Sequence, residues 1–183
     1  MTETLTWVFA VLFVLVVVAW YLTYTAARLD RLHVRLTGTV AALDAQLVRR
    51  AEASVELANS GLLDGATALI LAGAAAQSLE TPDEDGEIRE AVESDLTEAL
   101  SLALTSEVVD DLRQSGPLGV DHLERLSSAC TRVQLARRFH NDAVTDVRRV
   151  RRKLVVRLFH LAGHTPMPGT VEFNDEVPPG LEP

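Results

Sequence analysis

Arg137, Arg138, His140, Asn141 and Asp142, with Phe139 among them, form the densest polar cluster within any helical stretch of the chain. Two guanidinium groups, an imidazole, an amide and a carboxylate at such short spacing can hold a partner or a small ligand. The alternative is packing: the arginines would pair with Asp44, Glu52 or Glu56 of an earlier helix, and Asn141 or His140 would fix the register of a helix contact. Packing is the favoured expectation. His160 and His164 stand four residues apart, the spacing that places two metal ligands on one helix face. Gly163 is expected to end the helix between them and no acidic third ligand lies nearby, so no metal site is expected. His33 and His122 are isolated.

Nucleophiles are equally sparse. Cys130 is the one cysteine, which excludes an internal disulfide and a cysteine-rich zinc site, and it falls on an apolar stripe. The single lysine, Lys153, sits in a basic run. Arg89-Glu90-Ala91-Val92-Glu93 resembles the centre of a Nudix hydrolase box, whose glutamates hold a divalent metal for pyrophosphate cleavage. The other positions fail: Ser94 stands where a second glutamate belongs, Leu96 where a glycine belongs, and Ala75 and Thr81 replace the upstream glycine and glutamate. A solvated acidic helix is expected there. A membrane-tethered hydrolase, Nudix-like or metal-dependent, is therefore the disfavoured alternative, and no catalytic residue, cofactor, metal or small-molecule substrate is expected.

The elements that position these residues follow from composition. Of 183 residues, 48% are hydrophobic but only 5% aromatic, so the apolar mass is Leu, Val and Ala and an all-α fold is expected. Leu5 to Ala27 is 23 residues without a charge, and about 20 suffice to cross a bilayer. Trp7 near one end and Trp20, Tyr21 and Tyr24 near the other are all the tryptophans and tyrosines of the protein, placed where amphipathic rings meet headgroups. A cleaved signal peptide would carry a basic start and a shorter apolar run; Glu3 is the only charge before the span, so an uncleaved anchor is expected. Arg28, Arg31 and Arg35 follow it, which predicts a single-pass protein of the cell membrane with its N-terminus outside and its remaining residues in the cytoplasm.

Past the anchor (1–27), Leu29, Leu32, Leu36, Val40, Leu43, Leu47 and Ala51 recur at helical spacing, so the anchor is expected to run on as one long helix to a stop at Asn59-Ser60-Gly61. Leu62 to Leu79 reads as a buried core helix rich in alanine. An acidic loop, Glu80 to Glu87, separates it from a helix carried by Ile88, Val92, Leu96 and Leu100, capped by Asp85 and extending to Leu112. After Ser115-Gly116-Pro117 a last helix is expected from Val120 to Leu161, with Val147, Val150, Leu154, Leu158 and Leu161 inward. The helices make a cytoplasmic bundle of about four antiparallel members (28–162). The tail, 163–183, holds five of the seven prolines, lacks helical period, and reads as extended or disordered, able to dock on a partner or the bundle but expected to contribute little stability.

Charge is segregated. Glu80 to Glu124 carries 14 acidic and two basic residues, Arg125 to Arg157 ten basic and two acidic, within a chain of net charge −9. Neutralisation between neighbouring helices explains part of this; the crowding of Arg148, Arg149, Arg152, Lys153 and Arg157 predicts contact with anionic lipid as well. Nucleic acid is not an expected partner, since the net charge is acidic and no aromatics interleave the basic run.

Two segments are similar to the LemA family of bacterial membrane proteins. RLTGTVAALDAQLVRRAE, Arg35 to Glu52, resembles the family's first-helix signature at Asp44, Gln46, Leu47, Arg49 and Arg50. ARRFHNDAV, Ala136 to Val144, resembles its aromatic-Asn-Asp-Ala-Val element on the last long helix. Ala53-Ser54-Val55-Glu56-Leu57 replaces the family's usual Leu-Ile-Pro-Asn-Leu run, and His140 stands where an aromatic is common, which marks a divergent branch. The resemblance implies an N-terminal span, a long antiparallel bundle and no catalytic residues. The expected partners are the bilayer and other membrane or cytoplasmic proteins, or a second copy of the chain.

Overall fold

The apolar stripe does continue the uncharged segment without a break. In the computed structural model, which describes residues 2–82, 86–163 and 165–181, helix α1 runs Thr2–Asn59 as 58 residues, about 87 Å at 1.5 Å per residue. Gly38 sits inside it without ending it. The stop falls at the expected place, where the Ser60 hydroxyl donates to Leu57 O and Gly61 takes φ +76°, a conformation open to glycine.

All regular structure among the described residues is helical: α1 is followed by α2 (Gly65–Glu80), α3 (Gly86–Ala103), α4 (Ser106–Gln114), α5 (Pro117–Arg151), α6 (Leu154–Leu158) and a 3-10 turn at Pro179–Leu181. Asp64 caps α2, its carboxylate accepting from the Ala66 and Thr67 N–H groups at 3.0 and 3.1 Å. The expected capping by Asp85 and the ligand role weighed for His164 fall outside the described residues.

Three expectations are corrected. The helix expected to run on to Leu112 breaks at Leu104–Thr105, where the Thr105 hydroxyl caps a separate α4. Helix α2 buries one face, through Leu71, Ala75 and Ser78, and leaves Leu69 and Ile70 exposed, so it is not a core helix on all sides. The last long helix ends at Arg151. Leu154 and Leu158, expected inward, are 79% and 72% exposed, and Val156 is buried in their place. Their spacing kept the helical period while the chain turned at Arg152 and Lys153 and rotated the face.

The chain divides into two compact units. One comprises Met1–Gly38 and Asp142–Gly169, and its small core joins Leu29 to Val150 and Val156, with Leu32, Leu161 and Ala162 packed around them. The other comprises Thr39–Asn141 and Thr170–Pro183; its main core gathers Ala51 and Leu57 of α1, Leu71 and Ala75 of α2, Leu96 and Leu100 of α3, Val109 and Leu112 of α4, and Leu126 and Cys130 of α5.

Candidate functional site

Arg50 lies on the inward stripe of α1, one turn from Leu47 and Ser54, and is 1% exposed. An unpaired buried guanidinium would be prohibitively costly, and α3 supplies its counter-charge. Arg50 Nη2 donates to Glu93 Oε2 at 2.7 Å and to the Glu93 carbonyl at 3.0 Å, while Nη1 donates to the Thr97 hydroxyl at 2.9 Å. The other Glu93 oxygen accepts from the Ser78 hydroxyl of α2 at 2.7 Å and faces Arg89 Nε at 3.0 Å. Arg89 in turn donates to the carbonyls of Ser78 and Thr81, and its Nη2 lies 3.5 Å from Asp44. Three helices are thereby joined through one carboxylate.

The segment read as a solvated acidic helix is thus corrected: Glu93 is fully buried and Arg89 nearly so. Both Glu93 oxygens are engaged, an arrangement suited to holding helices rather than taking a proton from a substrate. A cavity of about 150 Å³ adjoins the network, lined by Leu43, Asp44, Leu47, Arg89, Glu90, His140 and Phe173 among others. That is below the usual range for organic ligands, roughly 300–1,000 Å³.

The 170–181 segment has no α-helix, as its composition indicates, but it is packed on the helices, which corrects the expectation of a tail with little structural weight. Phe173 is 9% exposed and packs with Leu43, Leu47 and Val133; the Arg50 and Arg137 guanidinium carbons lie 6.0 and 5.6 Å from its ring centroid, within cation–π range. Arg137 grips Asp175 with two hydrogen bonds of 2.7 and 2.9 Å, and that carboxylate, aided by Glu172, holds the guanidinium even more firmly protonated than usual. The Asn141 amide exchanges both of its bonds with the Val171 backbone, at 2.9 and 3.1 Å. Thr97 and Gln134 donate to the carbonyls of Asn174 and Asp175. Leu181 reaches the main core, where a Cβ on Gly180 would meet Val109 Cγ2 at 2.6 Å, so only glycine fits that approach.

The polar cluster of α5 is therefore dispersed by role. Arg137 and Asn141 hold the tail, and not Asp44, Glu52 or Glu56 as expected. His140 is buried beside the cavity; Arg138, Phe139 and Asp142 are exposed. Gln46 and Arg49 line a shallow cleft with Glu52 and Arg125, and Glu56 pairs with Arg125 at 3.3 Å. Cys130 is buried in the main core, which pushes its thiol pKa up against a smaller opposing effect of Arg50. Sequence reading took Arg89 and Glu93 for solvated residues and missed Ser78, Thr97 and Asp175; the available signal was Arg50 itself, a charge standing on the apolar stripe between Leu47 and Ser54.

In the unit that holds the N-terminal segment, Trp7, Trp20, Tyr21 and Tyr24 are all exposed, with Trp20 and Tyr24 stacked at 6.4 Å. Arg148 donates to Pro168 O and Arg151 to the carbonyls of Thr165 and Pro166, so these two basic residues brace the chain after α6. Arg149, Arg152, Lys153 and Arg157 are exposed and make no ion pair among the described residues. No family model, no curated protein and no solved structure matches this chain.

Proposed function

We propose that the chain is a non-enzymatic, single-span membrane protein of the LemA type, with its N-terminus outside and an antiparallel helical bundle in the cytoplasm that serves as an interaction or scaffolding module. The observation that carries this reading is the surface of α1. Leu5, Trp7, Val8, Phe9 and every residue from Val11 to Val18 are large apolar side chains at least 41% exposed. Helix α1 is long and apolar enough there to cross a membrane, and none of its most apolar window is buried. Water does not tolerate an apolar surface on all sides of a helix, whereas a bilayer requires one.

Support for an interaction role is the way polar residues are spent. Arg50, Glu93, Arg137 and Asn141 are committed to holding helices and tail together, and residues at the family-like positions, Asp44, Arg50, Arg137 and Asn141, do structural work of this kind. Exposed Leu69 and Ile70 of α2 offer apolar surface for a protein partner. Alkaline carbonate extraction of native membranes tests the anchor: the chain stays in the pellet on this account, and recovery in the supernatant overturns it. Crosslinking from the same membranes tests the module, with discrete protein adducts or a crosslinked dimer expected; a chain that crosslinks only to lipid contradicts the scaffolding role.

A further inference from the structure

The unit that contains the uncharged segment has its own charge balance. Met1–Gly38 and Asp142–Gly169 hold nine Lys and Arg against four Asp and Glu, a net of +5, which leaves the other unit at −14 within the chain's −9. Six of the nine basic residues fall between Arg148 and Arg157, on the last turn of α5, the turn after it and α6.

Helix α6 is joined to α1 through one small core: Val156 is buried in a cluster with Leu29 and Val150, and Leu161 and Ala162 pack against that cluster with Leu32. Leu29 lies two residues past the end of the uncharged stretch at Ala27, about 3 Å along the helix axis. Headgroups occupy roughly 5–8 Å on each side of the hydrocarbon, so a segment docked at Leu29 and Leu32 sits at their depth. Its outer surface suits that depth: Leu154, Leu158 and Phe159 are 79%, 72% and 48% exposed, and Arg152, Lys153 and Arg157 stand beside them. An open cleft of about 740 Å³ lies here, lined by Arg152, Leu154, Arg157, Leu158, His160 and Met167, among others. Apolar side chains with adjacent free cations form the pattern of an element that lies in a bilayer surface.

We propose that α6 and its flanking turns form a lipid-binding collar around the exit of α1, in which Leu154, Leu158 and Phe159 enter the leaflet and Arg152, Lys153 and Arg157 bind the phosphates of anionic phospholipids. This rests on the reading of α1 as a membrane span and adds a lipid preference to it. Arg148 and Arg151 are left out of the collar, since each already spends part of its guanidinium on carbonyls of the following segment. The collar would fix α1 against the bilayer at a set angle, where a bare span is free to rotate about its own axis.

The test uses the full chain, with Cys130→Ala and Leu158→Cys carrying a fluorophore, in nanodiscs that contain a lipid-borne quencher. In discs with one third phosphatidylglycerol we expect at least twofold stronger quenching than in pure phosphatidylcholine, reduced by 0.5 M salt. The triple variant Arg152→Gln, Lys153→Gln, Arg157→Gln is expected to lose the difference, and the corresponding Arg→Lys variant to keep it. Inorganic phosphate at 10 mM should not reproduce it in neutral discs. Equal quenching in both lipids, or none in either, overturns the collar while leaving the span intact. A chain that fails to enter discs of any composition overturns the span reading itself.

Discussion

Arg50 and Glu93, forty-three residues apart, meet at 2.7 Å with side chains 2% and 0% exposed, and through them α1, α3 and the Ser78 turn of α2 are tied to one point. Removing one partner of such a pair leaves an uncompensated buried charge, at about 3–5 kcal/mol. Glu93→Ala should be destabilising on that scale, because it strands both Arg50 and Arg89. The double change Arg50→Met, Glu93→Leu should cost less than Glu93→Ala alone. Denaturant titration of the purified chain decides it, and a Glu93→Ala loss below about 1 kcal/mol would show that water already reaches the pair.

The tail provides the second prediction. Phe173 is nearly buried between two guanidiniums, and truncation of a buried phenylalanine typically costs about 3 kcal/mol or more. Phe173→Ala should lower the Tm by several degrees, and a chain ending at Gly169 should lose more, since it also gives up the Arg137–Asp175 grip and Leu181. Unchanged melting in both variants would mean that the segment does not hold to the helices in solution.

How much of this was legible in the sequence depends on what kind of contact made each element. Helix α1 was readable to its last turn, because Leu29, Leu43, Leu47 and Ala51 do bury at the spacing the stripe sets. The Arg50–Glu93 contact was not, since a charge pair leaves no period and Arg50, although it stands on the apolar stripe, does not name its partner forty-three residues on. The tail was legible only as a segment able to dock: the Arg137–Asp175 pair leaves no period, and Asn141, Gln134 and Thr97 bind backbone atoms, which carry no sequence signal. Leu154 and Leu158 misled because a two-residue break leaves periodicity intact while turning the face outward.

A third prediction concerns acid. The Asp64 carboxyl is held below its ordinary pKa, chiefly by the Thr67 hydroxyl, then by the Thr67 N–H, with a smaller part from Ala66. A carboxylate whose pKa is depressed on folding stabilises the fold above its unfolded value, near 3.9, and loses that contribution as pH falls through the folded value. Asp64→Ala should therefore lower the Tm at neutral pH, and its deficit relative to the parent should shrink below about pH 4. A deficit that persists undiminished to pH 2 would remove the capping charge as the cause.

The central claim is an anchored chain with its helical domain on the side of Arg28, Arg31 and Arg35, and one measurement addresses it directly. Ser106 is exposed at the start of α4, whereas Cys130, the native thiol, is buried with a raised pKa and should stay silent in the folded protein. The Ser106→Cys variant of the full chain is treated in intact cells with a membrane-impermeant maleimide, then again after permeabilisation. The account predicts a protein that sediments with the membranes and whose introduced thiol labels only once the cells are opened; efficient labelling in intact cells would contradict it.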